Sequence, residues 1–217
     1  MVKLYENRIV VKIEYTSFEY QWEKNCINYL NSLIPFFVDM ENMGYEIILL
    51  FCEKETFSIM EIKGKDKNKE ILNKKSLSLI KQNKLIYFCN KEFLHYGKYM
   101  GQFILRKEEL LIEKLQKNLL ETIEFLLKKK IIILVAKNPL EKHEKIWHYE
   151  MEDDFSYVIT RLLKAKKFII LSNYEDIQEK SIICEEIKLF NWFKMSQVES
   201  YIIGRKNISQ LIKILKK

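Results

Sequence analysis

The stretch at residues 150–177, "EMEDDFSYVITRLLKAKKFIILSNYEDI", decides the fold. Asp153 or Asp154 can cap a helix, and Phe155, Val158, Ile159, Leu162 and Leu163 then fall at i, i+3, i+4, i+7 and i+8 on one face. The basic residues Lys164, Lys166 and Lys167 suit the negative end of that helix. Phe168-Ile169-Ile170-Leu171 is short and apolar enough to be a strand covered on both faces. A helix feeding a doubly buried strand is half of a parallel crossover, so the loop beginning at Ser172 lies where such sheets keep their ligand-handling residues.

The same alternation extends outward in both directions. "RIVVKI" (8–13) reads as a strand, and "NCINYLNSLIPFFVDMENMG" (25–44) as a long amphipathic helix with Pro35 inside it and Gly44 at its stop. "YEIILLFC" (45–52) is a second strand, followed by a helix that runs to Gly97 from "NKKSLSLIKQNKLIYFCNKEFLHYG" (73–97). "MGQFIL" (100–105) is a strand and "KEELLIEKLQKNLLETIEFLLKKK" (107–130) one helix. "IIILVAKNP" (131–139) is the most apolar strand and is expected at the centre of the sheet. "HEKIWHYE" (143–150) fits a hairpin or edge strand, and "KLFNWFKMSQVES", "YIIG" and "ISQLIKIL" close the chain. Strands alternating with helices specify an α/β fold, a three-layer αβα sandwich with a mostly parallel sheet. "RIVVKI", "EIILLFC", "IIILVA" and "FIILS" are its expected interior parallel strands.

With 217 residues, 48% of them hydrophobic, the chain can bury one substantial core, and a single domain over 1–217 is expected. No apolar run approaches the ~18 residues of a membrane span, and charges interrupt the opening "MVKLYENRIVVKIEY", so a cytoplasmic protein is expected. Cys26, Cys52, Cys89 and Cys184 lie far apart, mostly in apolar runs, without CxxC spacing, and read as reduced, buried thiols. His143 and His148 stand at i, i+5, off a common helical face, and no metal site is predicted. The net charge of +7 accompanies abundant Ile, Asn, Tyr and Phe, the signature of an AT-rich coding sequence. The densest basic run, "KGKDKNKEILNKK" (63–75), has no interleaved aromatics to stack bases, so neither nucleic acid nor membrane is an expected partner.

The element order and five phrases resemble the amino acid kinase family, and within it the glutamate 5-kinase branch, over nearly the whole chain. "RIVVKIEYTS" resembles the family's opening VVKxGxS, "NMGYEIILLFCEKE" its aGhevvlVsSGA, and "YGKYMGQFILRKEEL" its yGxxvgQvLLTrdd. "NLLETIEFLLKKKIIILVAKNP" resembles NtlxxLLxxgvvPIiNENDxV, and the opening stretch fGDNDxLSAxvAxxxxADxLiLLTDxdGLY. The resemblance implies the same sandwich, ATP with Mg2+ as phosphoryl donor if the site functions, and a homodimer paired through a helix. It also implies catalytic roles for Lys12 on the transferring phosphoryl group, for Asp153 in orienting lysines, and for Lys188 as the lysine of the family's TK pair.

The loops depart from that pattern. The family's glycines let backbone N–H groups approach phosphate, which a Cβ prevents. Here the first-loop glycine aligns with Glu14 and that of SGA with Glu53, while the TDxxG turn becomes Ser172-Asn173-Tyr174-Glu175-Asp176. "EKSIICEE" replaces the GTGGM nucleotide loop. Of NEND only Asn138 survives, and the glutamate-binding aspartate falls on Pro139. By resemblance, then, Asn138 and Glu53 occupy substrate-binding positions, and Ser172 and Asn173 nucleotide-binding ones. Glu14 and Glu53 are expected to intrude among Lys12, Asp153 and Lys188 and to neutralise the lysines. The reading is a degenerate kinase with little glutamate phosphorylation, acting by binding a ligand, a true glutamate kinase or another protein. An active ATP-dependent phosphotransferase for glutamate or a changed acceptor is the alternative, and a basic nucleic-acid-associated protein a third. No C-terminal RNA-binding-type domain is expected after "LIKILKK".

Overall fold

Runs of aliphatic residues broken by helices with one apolar face leave little choice but a sheet covered on both sides, and that is what the chain builds. The computed structural model describes residues 4–15, 22–53, 67–106, 108–138, 155–172 and 191–204, with 207, 211 and 214. Its elements are β1 (Tyr5–Tyr15), α1 (Trp22–Asn42), β2 (Glu46–Glu53), α2 (Lys67–His95), β3 (Met100–Leu105), α3 (Glu113–Lys128), β4 (Ile132–Lys137), α4 (Phe155–Leu162), β5 (Ala165–Ser172) and β6 (Glu199–Gly204).

The six strands form one sheet in the order β3-β4-β2-β1-β5-β6, and every neighbouring pair is parallel. Parallel strands must be covered on both faces, and they are. Ile9, Val11, Ile13, Leu49, Phe51, Leu134 and Ile169 pack with α1 and α2, whereas Val10, Ile48, Leu50, Val135, Phe168 and Ile170 pack with α3, α4 and Phe193. The period of two along each strand divides its residues between the layers. Full burial of each such side chain contributes about 1.5–3 kcal/mol. Among the described residues, no helix is long and apolar enough to cross a membrane.

Five helix-to-strand turns share one device, a residue of positive φ that reverses the chain. Gly44 (φ 94°) and Gly97 (φ 67°) serve α1 and α2, and Lys130 (60°), Lys164 (52°) and Gln197 (60°) serve the helices before β4, β5 and β6. In four of them the next amide donates to the carbonyl five residues back: Tyr45 to Met40, Lys98 to Phe93, Ile131 to Leu126 and Val198 to Phe193.

The amino edge of the sheet is locked by Arg8. It is 1% exposed, and its guanidinium donates to Glu46 at 2.7 Å, to both oxygens of Glu124 at 2.6 and 3.1 Å, and to the Leu163 carbonyl at 2.8 Å. It also stacks 4.0 Å from the centre of the Tyr5 ring. One side chain thereby ties β1 to β2, α3 and the end of α4. Burial pulls its pKa down, but the hydrogen bonds it donates to Glu124 and Glu46 and their negative charges more than reverse this and leave it raised.

The structure corrects two expectations. β4 is interior but second from the edge, and β2 and β1 hold the middle. The helix expected over 107–130 is interrupted: Glu108–Leu111 is a 3-10 turn, and Ile112 is extended (φ −93°, ψ 109°) before α3 begins. Leu110 is buried from within the 3-10 turn, so the apolar spacing runs through the break without revealing it. The helix and strand of the opening stretch fall at Phe155–Leu162 and Ala165–Ser172, while Asp153, Asp154 and "HEKIWHYE" lie outside the described residues.

Candidate active site

In a parallel sheet a ligand sits beyond the carboxyl ends of the strands, where neighbouring connections leave in opposite directions. The β1 connection leads to β2 and the β5 connection to β6, on the other side of β1, so the crevice between β1 and β5 is this point. Lys12 and Glu14 stand there on β1, and Ser172 ends β5, one residue beyond Leu171, the partner of Ile13.

Alternation along β1 places Lys12 and Glu14 together on the α3/α4 side, as Val10 is. Lys12 Nζ lies 3.2 Å from Glu14 Oε1, with the lysine side chain 17% exposed and the glutamate 6%. The residue that replaces the family's first-loop glycine thus sets its carboxylate on the ammonium expected to meet the phosphoryl group. An ion pair withdrawn this far from water gains attraction but loses hydration, so removing either partner strands the other's charge, and both residues make further interactions in the fold. Ser172, 1% exposed, is buried at the same edge.

At the ends of β2 and β4 the edge continues. Glu53 is the last residue of β2, paired in register with Tyr15, and its side chain lies outside the described residues. Asn138 follows β4 half-buried, its amide donating to the Leu105 carbonyl at 2.9 Å. Asp153, Asn173 and Lys188 lie outside the described residues, as does Pro139, so of the catalytic trio the structure positions Lys12.

Two residues that sequence reasoning passed over also reach this edge. On α2, Gln82 donates from Nε2 to the Lys137 carbonyl at 2.9 Å, which pins that turn of the helix to the end of β4. Beside it Lys81 is 4% exposed. The signal was present in the sequence: Gln82, Ile86, Cys89 and Phe93 share an inward stripe, and Lys81 stands one turn before buried Leu85, so two polar residues interrupt an apolar face. Among the described residues no three His, Cys, Asp or Glu gather as a metal site.

No family model matches the chain. It is 27% identical over 169 residues to the glutamate 5-kinase of Clostridium tetani, covering 78% of this chain and 63% of that protein. It is 26% identical to the glutamate 5-kinase of Clostridium perfringens, over 77% of this chain and 64% of that one. With the glutamate 5-kinase of Thermoanaerobacter sp. strain X514 it shares 27% identity over 80% of this chain and 46% of the relative. The chain spans less than two thirds of the length of these relatives. These similarities, with an all-parallel sheet covered on both faces, support a glutamate 5-kinase-like relationship to the amino acid kinase family.

Proposed function

We propose that this glutamate 5-kinase-related protein phosphorylates glutamate at or near background and acts as a binding or regulatory protein at its carboxyl edge. The observation that carries the reading is the Lys12–Glu14 pair, 3.2 Å apart. Phosphoryl transfer depends on cations poised around the moving group. A carboxylate already on the ammonium competes with an incoming phosphate, and like charges ~4 Å apart repel by roughly 1–4 kcal/mol in a surface-like dielectric.

ATP with Mg2+ is the donor this kinship implies. Lys12 and the end of β5 at Ser172 are the described residues that could meet its phosphates, and at Lys12 an incoming phosphate meets the Glu14 carboxylate already 3.2 Å from the ammonium. Mg2+ would enter on the nucleotide. The alternative, an active phosphotransferase with glutamate or a changed acceptor, is favoured by the retained Lys12 and by Asn138 at its expected strand end. The partner in this reading is a second copy of the chain, supported by exposed Ile80, Tyr87 and Leu94, spaced seven residues apart along α2. A true glutamate kinase is the other candidate. A cytoplasmic setting accords with the free, buried thiol of Cys89.

Transfer of the ATP γ-phosphoryl group to glutamate, followed with purified protein, tests the proposal. Turnover within a few-fold of the uncatalysed rate is expected. Efficient turnover abolished by Lys12→Ala would replace this reading with the phosphotransferase one.

A further inference from the structure

α2 runs antiparallel to the strands, from the carboxyl edge of the sheet to its amino edge. At the amino edge Phe93 receives the Lys98 amide ahead of β3, and Tyr99 receives the amide of Ile132, the first residue of β4. From Phe93 back to Gln82 the helix rises about 16 Å, much the same as β4 from Ile132 to Lys137. Helix and strand therefore reach the carboxyl edge together at Gln82, and the remainder of α2, back to Lys67, continues past the end of β4 for about 22 Å.

At this crossing Gln82 donates from Nε2 to the Lys137 carbonyl at 2.9 Å. Ile132 and Asn138 direct their amides to β3, so the alternation of a strand turns the Lys137 carbonyl toward the β2 side. The register of β4 with β2 ends one residue earlier, at Phe51–Ala136, and a side-chain amide from the helix continues it. Gln82 is 5% exposed and shares its inward stripe with Ile86, Cys89 and Phe93, which pack into the core. An aliphatic side chain would satisfy that packing. An amide adds direction, because its bond survives only while the helix and the strand end keep their places, and a buried polar contact that is satisfied fixes one arrangement.

We infer that Gln82 is a positioning residue of the carboxyl edge: through the Lys137 carbonyl it fixes the point at which the chain leaves β4, and so holds the next residue, Asn138, where it meets a ligand. Asn138 is then held from two sides, by its own amide on the Leu105 carbonyl of β3 and by α2 through its neighbour. The inference rests on the reading of this edge as a ligand site, and it gives Gln82 no ligand contact of its own.

Site-resolved amide hydrogen exchange, with calorimetric titration of L-glutamate and of ADP–Mg, tests it on wild type, Gln82→Met and Gln82→Glu. Methionine keeps the length of the side chain without a donor. Glutamate, ionised at neutral pH, keeps its shape without one, and serves should the methionine variant not fold. Exchange at the Asn138 amide should be at least tenfold faster in the variants, with Ile133 and Leu134 in the middle of β4 unchanged, and the affinity of whichever probe wild type binds should fall at least fivefold. Exchange rising equally along β4 would show a contact that serves stability alone, and overturns the inference. Unchanged exchange at Asn138 overturns it too, as does faster exchange there with unaltered affinity. Binding of neither probe by wild type overturns the reading of the edge as a ligand site and the ligand role of Gln82 with it, whereas the exchange result separately decides its hold on Asn138.

Discussion

Replacing Arg8 by methionine should lower stability by about 3 kcal/mol, the low end of what breaking a buried ion pair costs. The guanidinium is 1% exposed and its removal strands two carboxylates and the Leu163 carbonyl. The low end applies because Glu46 and Glu124 keep 22% and 29% side-chain exposure, so water can reach them once the arginine is gone. For a chain of this size that is roughly 6–12 °C in Tm. Urea unfolding of wild type, Arg8→Met and the triple variant Arg8→Met, Glu46→Gln, Glu124→Gln separates lost attraction from stranded charge. The triple variant should recover part of the loss, since the penalty lies in unpaired carboxylates rather than in the absence of a salt bridge. Arg8 holds its proton more firmly than an ordinary arginine, so its contribution is fully present below the unfolded-state pKa and fails only as pH rises through the folded one. Arg8→Met within 1 kcal/mol of wild type would refute the claim that this cluster locks the amino edge.

Burial, and then the charge of Glu92, push the Cys89 thiol above its ordinary value of 9.0. The unfolded chain therefore releases this proton first, and stability should fall above pH 9 by up to ~1.4 kcal/mol per pH unit. Denaturation midpoints from pH 7.5 to 10.5 should show the slope, and Cys89→Ala should flatten it. Tyr201, raised by desolvation and by its neighbour Glu199, adds the same sign as pH rises past 10. Lys164, exposed at φ 52°, should gain about 0.5–1 kcal/mol on substitution by glycine, the relief of left-handed strain less the added chain entropy. Gly44→Ala, at φ 94°, should destabilise, and thermal melts of the two variants moving in the same direction would contradict the shared-turn account.

The strands were legible because continuous apolarity in a short run has one physical meaning, cover on both faces, and the sheet supplies it for "RIVVKI", "EIILLFC", "IIILVA" and "FIILS". Apolarity does not rank strands within the sheet, so β4 was expected in the middle and lies beside the edge. Gly44 and Gly97 announced their helix ends, whereas Lys130, Lys164 and Gln197 do the same work with residues that look like helix formers. Arg8 sat at the start of an apolar strand with its partners 38 and 116 residues away, a separation no local pattern encodes. At the site, Glu14 was expected beside Lys12 only through the resemblance; i and i+2 of a strand share a face, and Lys12 Nζ lies 3.2 Å from Glu14 Oε1. Lys81 and Gln82 were passed over, although they interrupt the apolar face of their helix, because what that face meets depends on how α2 docks against β4.

Calorimetric titration of ADP–Mg into wild type and Glu14→Gln addresses the central claim most directly, that Glu14 occupies the ammonium of Lys12 and silences the phosphate side of the edge. Removal of one repelling carboxylate, at about 1–4 kcal/mol, should tighten binding at least about fivefold in Glu14→Gln, with the gain lost again in Glu14→Gln, Lys12→Met. Equal affinity in wild type and Glu14→Gln, or tight wild-type binding that depends on Lys12, would contradict it.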